Sequence, residues 1–223
     1  MRSKLWLAAA LLVVAGLASP ASAQVSSITT LFTGGNNGAS LWTVYYDVNV
    51  THSPGISIVG LDINTNSGVG LPFTIDFYAT APGGTYVGND ATPGAWTLLE
   101  SSQTGTSAAA NSPSHVDFAT PIFFAAGTQG FALRYQGVAP VYTNGNGSNQ
   151  NYSNADLALT LGASRSTTAG PFTGGTLFTP RVWNGTIYYT VAPAPEPTSL
   201  VLVGIAGCLS FAIRKTRRGK PAA

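Results

Sequence analysis

Hydrophobic and polar residues alternate along most of the chain between residues 24 and 191, in stretches of strand length. These stretches are rich in β-branched and aromatic residues, and Gly, Pro and Asn separate them. They cover residues 41–50, 56–65, 73–79, 95–101, 115–118, 130–136, 155–161 and 183–191. The connections are too short for crossover helices, and no amphipathic helix of ordinary length is present. The pattern therefore predicts an antiparallel all-β domain, a β-sandwich of jelly-roll or related Greek-key type.

The N-terminal 23 residues have a different pattern, that of a secretory signal. Arg2 and Lys4 precede an apolar run over residues 5–17. The small residues Ala21 and Ala23 then form a site that a signal peptidase accepts. We expect residues 1–23 to be removed, so that Gln24 becomes the first residue of the mature protein.

The C-terminal residues form three consecutive parts. A Pro-rich linker over residues 192–197 contains Pro195, Glu196 and Pro197, and favours extended polyproline II structure. Residues 198–213 follow as an apolar segment predicted to be a transmembrane helix. The tail, residues 214–223, is basic and predicted to be cytoplasmic. Four of its cations directly follow the helix and are predicted to stop membrane transfer: Arg214, Lys215, Arg217 and Arg218.

These three parts, in this order, resemble the PEP-CTERM sorting signal of Gram-negative and related environmental bacteria. The resemblance implies recognition near residues 195–197 by an exosortase-like membrane enzyme, which removes the helix and the basic tail. It also implies transient anchoring in the inner membrane, followed by a cell-surface or extracellular location. Substrates of that system are typically surface or matrix proteins of bacteria that make exopolysaccharide. More loosely, residues 24–191 resemble a recurrent secreted domain of such proteins that has no assigned activity.

The charge of the predicted domain differs from that of the whole chain. The chain carries a formal charge of +2, but its Lys and most of its Arg residues lie in the terminal segments. The predicted domain has seven acidic residues and only Arg134, Arg165 and Arg181 as cations. This mildly acidic balance disfavours nucleic-acid binding. The single cysteine, Cys208, lies in the apolar tail, so no disulfide is expected in the domain.

Residues suited to catalysis or metal binding are few. His52 and His115 are the only histidines, and no G-x-S-x-G motif accompanies them. Asp62, Asp76 and Glu100 could supply the two carboxylates of a glycosidase, but nothing in the sequence pairs them. No zinc or calcium motif occurs. Asp90 with Asn89, or Asp156 with Asn154 and Asn151, remain weaker alternatives for calcium. We expect no catalytic residues, no metal and no cofactor.

Aromatic residues provide the one argument for a ligand. Tyr86, Tyr142 and Tyr152 lie in polar stretches, and aromatic rings beside amide side chains are typical of sugar recognition. They are therefore candidates for contact with exopolysaccharide. The sequence favours a non-enzymatic exported protein with a structural or adhesive role in a surface matrix or biofilm. A carbohydrate-binding module is the alternative, and a secreted hydrolase or an ice-binding protein is a third hypothesis.

Overall fold

A computed structural model of the protein describes residues 24–167 and 169–191. They belong to one compact unit, residues 24–192. Apart from a single 3-10 turn at Pro93–Ala95, their regular structure is β-strand, and the prediction of an antiparallel all-β domain is confirmed. The strands are β1 (Val25–Thr29), β2 (Asn36–Asn37), β3 (Thr43–Ile63), β4 (Pro72–Thr80), β5 (Trp96–Thr106), β6 (Ser114–Gln136), β7 (Val141–Asn144), β8 (Asn151–Ser153), β9 (Leu157–Arg165), β10 (Leu177–Phe178), β11 (Arg181–Trp183) and β12 (Gly185–Val191).

Strands β3 and β6 form a long antiparallel ribbon that organises the domain. Residues 43–50 of β3 pair with residues 127–134 of β6, and residues 55–63 pair with residues 114–125. The register shifts between these two halves, where Ser53, Pro54 and Gly55 interrupt the β-branched pattern. Proline cannot donate a ladder hydrogen bond, and it is tolerated in a strand at such an irregularity.

The two halves of the ribbon have different neighbours. Residues 43–50 of β3 also pair with β9, whereas residues 56–63 pair with β12, which in turn pairs with β1. At the edge of β6 that faces away from β3, the sheet continues with β4, which pairs with the C-terminal half of β6, and then with β5. Strands β11, β7 and β2 form a separate three-stranded sheet.

Both halves of β3 turn one face towards the same hydrophobic cluster. Val44, Tyr46 and Val48 contribute from the first half, and Ile58 and Leu61 from the second. A register shift between Ile58 and Gly60 changes the alternation, so that residues on both sides of it are buried in this cluster. One core shared by the two halves is consistent with a β-sandwich.

A second, smaller cluster covers the opposite face of the first half. Tyr45 lies there between Ala132 of β6 and Ala163 of β9, its cross-strand neighbours. Trp96 and Phe172 stack on each other, with ring centroids 4.9 Å apart, and complete the cluster. This half of the ribbon is therefore covered on both faces around Tyr45, whereas Asn49, further along the second face, is exposed.

The predicted terminal segments, residues 1–23 and 192–223, lie outside the described residues. No helix in the part of the chain that the structure describes is long and apolar enough to cross a membrane.

Candidate functional site

A polar pocket lies where three connections of the domain meet the start of β7. It has a volume of about 200 Å³. It is surrounded by residues 34–37 before β3, Asn66 after β3, residues 110–111 before β6 and Val141 at the start of β7. Four amide side chains and two glycines form most of its lining: Asn36, Asn37, Asn66, Asn111, Gly34 and Gly35. No charged side chain lines it.

A buried asparagine fixes one wall of this amide pocket. Asn64 is fully buried, and its Nδ2 donates to Asn111 Oδ1 at 3.1 Å. In return, the Asn111 backbone amide donates to Asn64 Oδ1 at 2.9 Å. Asn111 adopts a left-handed conformation with φ of 64°, which asparagine tolerates better than most residues. Its Oδ1 also accepts a hydrogen bond from the Gly34 amide at 3.0 Å, so the orientation of this side chain is set by protein contacts.

The two glycines at positions 34 and 35 have different surroundings. A Cβ on Gly34 would overlap Val141 Cγ1 and would lie 2.7 Å from Asn184 Nδ2, so only glycine fits this close approach. A Cβ on Gly35 would meet no atom within 4 Å. Position 35 therefore has room for a side chain beside the pocket.

Several polar groups of the pocket have no partner among the described residues. Asn111 Nδ2 and the Asn66 side chain make no hydrogen bond within residues 24–167 and 169–191. Asn37 donates through Nδ2 to Gly38 O at 3.0 Å, and its Oδ1 accepts no hydrogen bond from these residues. The pocket thus offers both donors and acceptors to a ligand.

His115 belongs to a second polar cluster, on neighbouring strands β12, β3 and β6. Its Nδ1 lies 2.7 Å from Asp62 Oδ1, and its Nε2 lies 3.0 Å from Asp117 Oδ1. The Tyr188 hydroxyl donates to Asp62 Oδ2 at 2.7 Å. Both imidazole nitrogens are engaged by carboxylates, an arrangement that favours a charged pair over proton transfer with a substrate.

This cluster predicts a pH-dependent stability. Burial lowers the pKa of His115, but hydrogen bonds and charges from Asp62 and Asp117 outweigh it, so the pKa lies above its usual value of 6.5. The protonated ring therefore stabilises the fold fully below about pH 6.5, and this contribution is lost as the pH rises through the folded-state pKa. We expect the difference in unfolding free energy between wild type and His115→Gln to be largest below that pH. Urea unfolding between about pH 5 and 9 measures it.

The control for this prediction is Asp117→Asn, because the Asp117 side chain is 87% exposed and removing its charge should leave the fold unchanged. NMR titration should show a lower His115 pKa in this variant. A difference between wild type and His115→Gln that is constant over the whole pH range would contradict the prediction.

His52 forms the corresponding pair with Asp156. Its Nδ1 lies 3.1 Å from Asp156 Oδ1, while the Tyr189 hydroxyl donates to Asp156 Oδ2 at 2.9 Å. Burial, followed by the hydrogen bond to Asp156, raises the pKa of Tyr189 to about 12. Asn154 donates to the Tyr189 hydroxyl at 2.8 Å. Hydrogen bonds therefore connect the His52–Asp156 pair to Tyr189 of β12.

The three tyrosines predicted to contact sugar have separate places in the fold. Tyr142 is only 2% exposed, with its hydroxyl donating to Asn37 O at 3.2 Å. The Tyr86 ring packs over Gly162, where no Cβ would fit, and borders the smaller cluster. Tyr152 is half-buried against the main core. The structure does not bring them together in one site, and the Tyr142 ring is covered because β2 and the Arg181 guanidinium, 5.5 Å from its centroid, lie against it.

The carboxylates considered for catalysis or calcium each have protein partners. Asp76 accepts hydrogen bonds from the Ser102 amide and from Gln136, and Glu100 accepts one from Gln103. Asp90 pairs with Arg165, as Asp156 does with His52. Within residues 24–167 and 169–191, no group of three or more His, Cys, Asp or Glu side chains is arranged to hold a metal ion.

Comparisons with known proteins assign no family. No protein-family model matches the chain, and no curated protein matches it. One similar solved structure is that of the cysteine protease and lectin-like domains of Cwp84, a surface layer associated protein of Clostridium difficile. The TM-score is 0.43 at 9% identity, and the match covers 75% of this chain. It spans only 36% of the length of that structure.

The sequence did not single out the asparagines of the amide pocket. The predicted strands do not include any of the four: Asn36, Asn37, Asn66 and Asn111. The sequence signal was weak, because these residues come from three connections and only the fold brings them together. The predicted signal-cleavage, sorting and membrane-stop residues lie outside the described residues, apart from Gln24, which precedes β1.

Proposed function

We propose that this protein is an exported bacterial surface or extracellular-matrix protein with a structural or adhesive role. The observation that carries this proposal is the C-terminal order of Pro195, Glu196 and Pro197, an apolar segment and a basic tail. The all-β domain is compatible with it, because its two hydrophobic clusters form without any cysteine and so do not depend on a disulfide.

The proposal includes the route to the surface. Signal peptidase removes residues 1–23, and the helix over residues 198–213 holds the chain in the inner membrane until an exosortase-like enzyme processes it near Pro197. The jelly-roll or Greek-key type of the sandwich also belongs to the proposal. Its support is the sheet order, in which β3 lies between β12 and β6 and thus beside strands distant in sequence.

The proposed role is non-enzymatic. It is supported by His115, because both of its ring nitrogens face carboxylates and neither is left open to exchange a proton with a substrate. Carbohydrate binding is a second candidate, favoured by one observation, the amide pocket. It is compatible with an adhesive role.

Intact-mass analysis of the protein from its native host tests the sorting proposal. Cell-associated and culture fractions should both contain a chain that begins at Gln24 and lacks the residues after about Pro197. An added mass at the new C-terminus would identify a covalent anchor. A chain that still ends at Ala223 in both fractions would overturn the proposal of exosortase-like processing and leave a membrane-tethered domain.

A further inference from the structure

We propose that the amide pocket binds a single neutral sugar residue, as a free saccharide or as a unit of a polysaccharide. The inference deepens the adhesive role proposed above and rests on it for the source of the ligand. The site itself consists of four amide side chains around Gly34 and Gly35. It does not include the three tyrosines that the sequence indicated.

The size of the pocket limits the ligand. Its volume of about 200 Å³ is below the roughly 300–1,000 Å³ of clefts that enclose drug-sized molecules. One sugar ring is therefore a better match than a nucleotide or a peptide segment. Val141 and Ala110 also line the pocket and provide apolar contacts for the C–H groups of a ring.

The chemistry of the lining favours a neutral ligand over a charged one. Calcium and magnesium take carboxylate ligands, and phosphate and carboxylate groups are held by Arg or Lys. The pocket has none of these side chains. Amide groups both donate and accept hydrogen bonds, and hydroxyl groups do the same. The hydroxyl groups of a neutral sugar can therefore pair with both the N–H and the C=O groups of the asparagine side chains.

The pocket is also organised before any ligand binds. Asn111 is held by Asn64 and by the Gly34 amide, which leaves its Nδ2 without a partner among the described residues. Its backbone is fixed at a φ of 64°. A donor held in this way loses little conformational entropy when a ligand binds. Residues in uncommon backbone conformations cluster at ligand sites, which agrees with this assignment.

The test uses the compact unit, residues 24–192, which contains both hydrophobic clusters. Glucose, galactose, mannose and N-acetylglucosamine, with their short oligomers, are titrated into the ¹⁵N-labelled protein and followed by NMR. At least one neutral sugar should shift the backbone amides of Gly34, Gly35, Asn37 and Asn111. Glucuronic acid should bind more weakly, because no cation lines the pocket.

Gly35→Leu is the blocking variant, because a side chain at this open position should enter the pocket without disturbing the fold. We expect it to weaken binding about tenfold or more. Gly94→Leu is its control, since a Cβ at Gly94 also meets no atom within 4 Å and this residue lies in the 3-10 turn, away from the pocket residues. It should bind as wild type does.

Asn66→Ala tests the polar contacts, because the exposed Asn66 side chain makes no hydrogen bond within the described residues. It should weaken binding, while Asn151→Ala, at an exposed position on β8, should not. Binding that is unaffected by Gly35→Leu, or no shift with any neutral sugar, overturns the inference. If glucuronic acid binds more tightly than the neutral sugars, the assignment of a neutral ligand is wrong. These results are independent of the mass of the processed chain, so failure here is distinguishable from failure of the sorting proposal.

Discussion

Replacing Trp183 with alanine is expected to lower the unfolding free energy by about 3–5 kcal/mol, the range for a large aromatic residue in a packed core. Trp183 is 2% exposed and stacks on Tyr46 at a centroid distance of 4.9 Å. Its Nε1 donates to the Tyr135 hydroxyl at 3.0 Å in a buried position. The substitution leaves a cavity and also leaves that hydroxyl without its donor. Urea unfolding followed by far-UV circular dichroism measures the loss.

Tyr46→Phe is the matched control for Trp183→Ala. The Tyr46 hydroxyl is buried with no hydrogen-bond partner among the described residues, and burial raises its pKa well above 10.0. Removing an unsatisfied buried hydroxyl should leave stability unchanged or raise it by about 1 kcal/mol. Trp183→Phe, which keeps an apolar ring, should lose less than the alanine variant and remain measurable if that variant does not fold. A loss below about 1 kcal/mol in Trp183→Ala would contradict the packing described for this core.

Strand positions in the domain could largely be predicted from the alternation of side chains. The stretch predicted as residues 73–79 is found as β4, which extends from Pro72 to Thr80. Residues 41–50 and 56–65 were predicted as two separate strands, and this was wrong for the residues between them, which include Ser53, Pro54 and Gly55. The strand continues through these residues because β6 accompanies it on both sides of the irregularity. Local turn chemistry was outweighed by a long-range pairing that the sequence pattern does not reveal.

The short strands and the amide pocket could not be predicted for a related reason. β2 has only two residues and exists because Asn36 and Asn37 pair with β7. The same pairing covers Tyr142. The polar residues that follow Tyr142 in the sequence had instead suggested that it lies in a polar stretch open to a ligand. Likewise, Asn64 and Asn111 are 47 residues apart in sequence and exchange two hydrogen bonds. Contacts of this kind depend on tertiary structure, and hydrophobic periodicity carries no signal for them.

The second large effect is expected at the ion pair between Arg165 and Asp90. Both side chains are 12% exposed, and Arg165 also donates to the carbonyl oxygens of Gly174 and Gly175. These bonds connect the end of β9 to two segments, residues 83–95 and 169–175, that contribute to or flank the smaller cluster. Arg165→Met removes the cation and leaves the Asp90 carboxylate buried beside an apolar side chain. We expect a loss of about 3 kcal/mol in unfolding free energy, measured by urea unfolding.

A double variant separates the ionic contribution from the rest. Asp90→Asn in the Arg165→Met background removes the isolated charge, so most of the loss should be recovered. Less than about 1 kcal/mol should remain, because the carbonyl oxygens of Gly174 and Gly175 lose their donor at exposed positions, where water replaces it. Hydrogen exchange should show faster opening of residues 83–95 in the single variant, while the main core around Tyr46 keeps its protection relative to global unfolding. If the single and double variants are equally stable, the buried charge is not the cause, and the two segments are held over the sheet by the stacking of Trp96 on Phe172 instead.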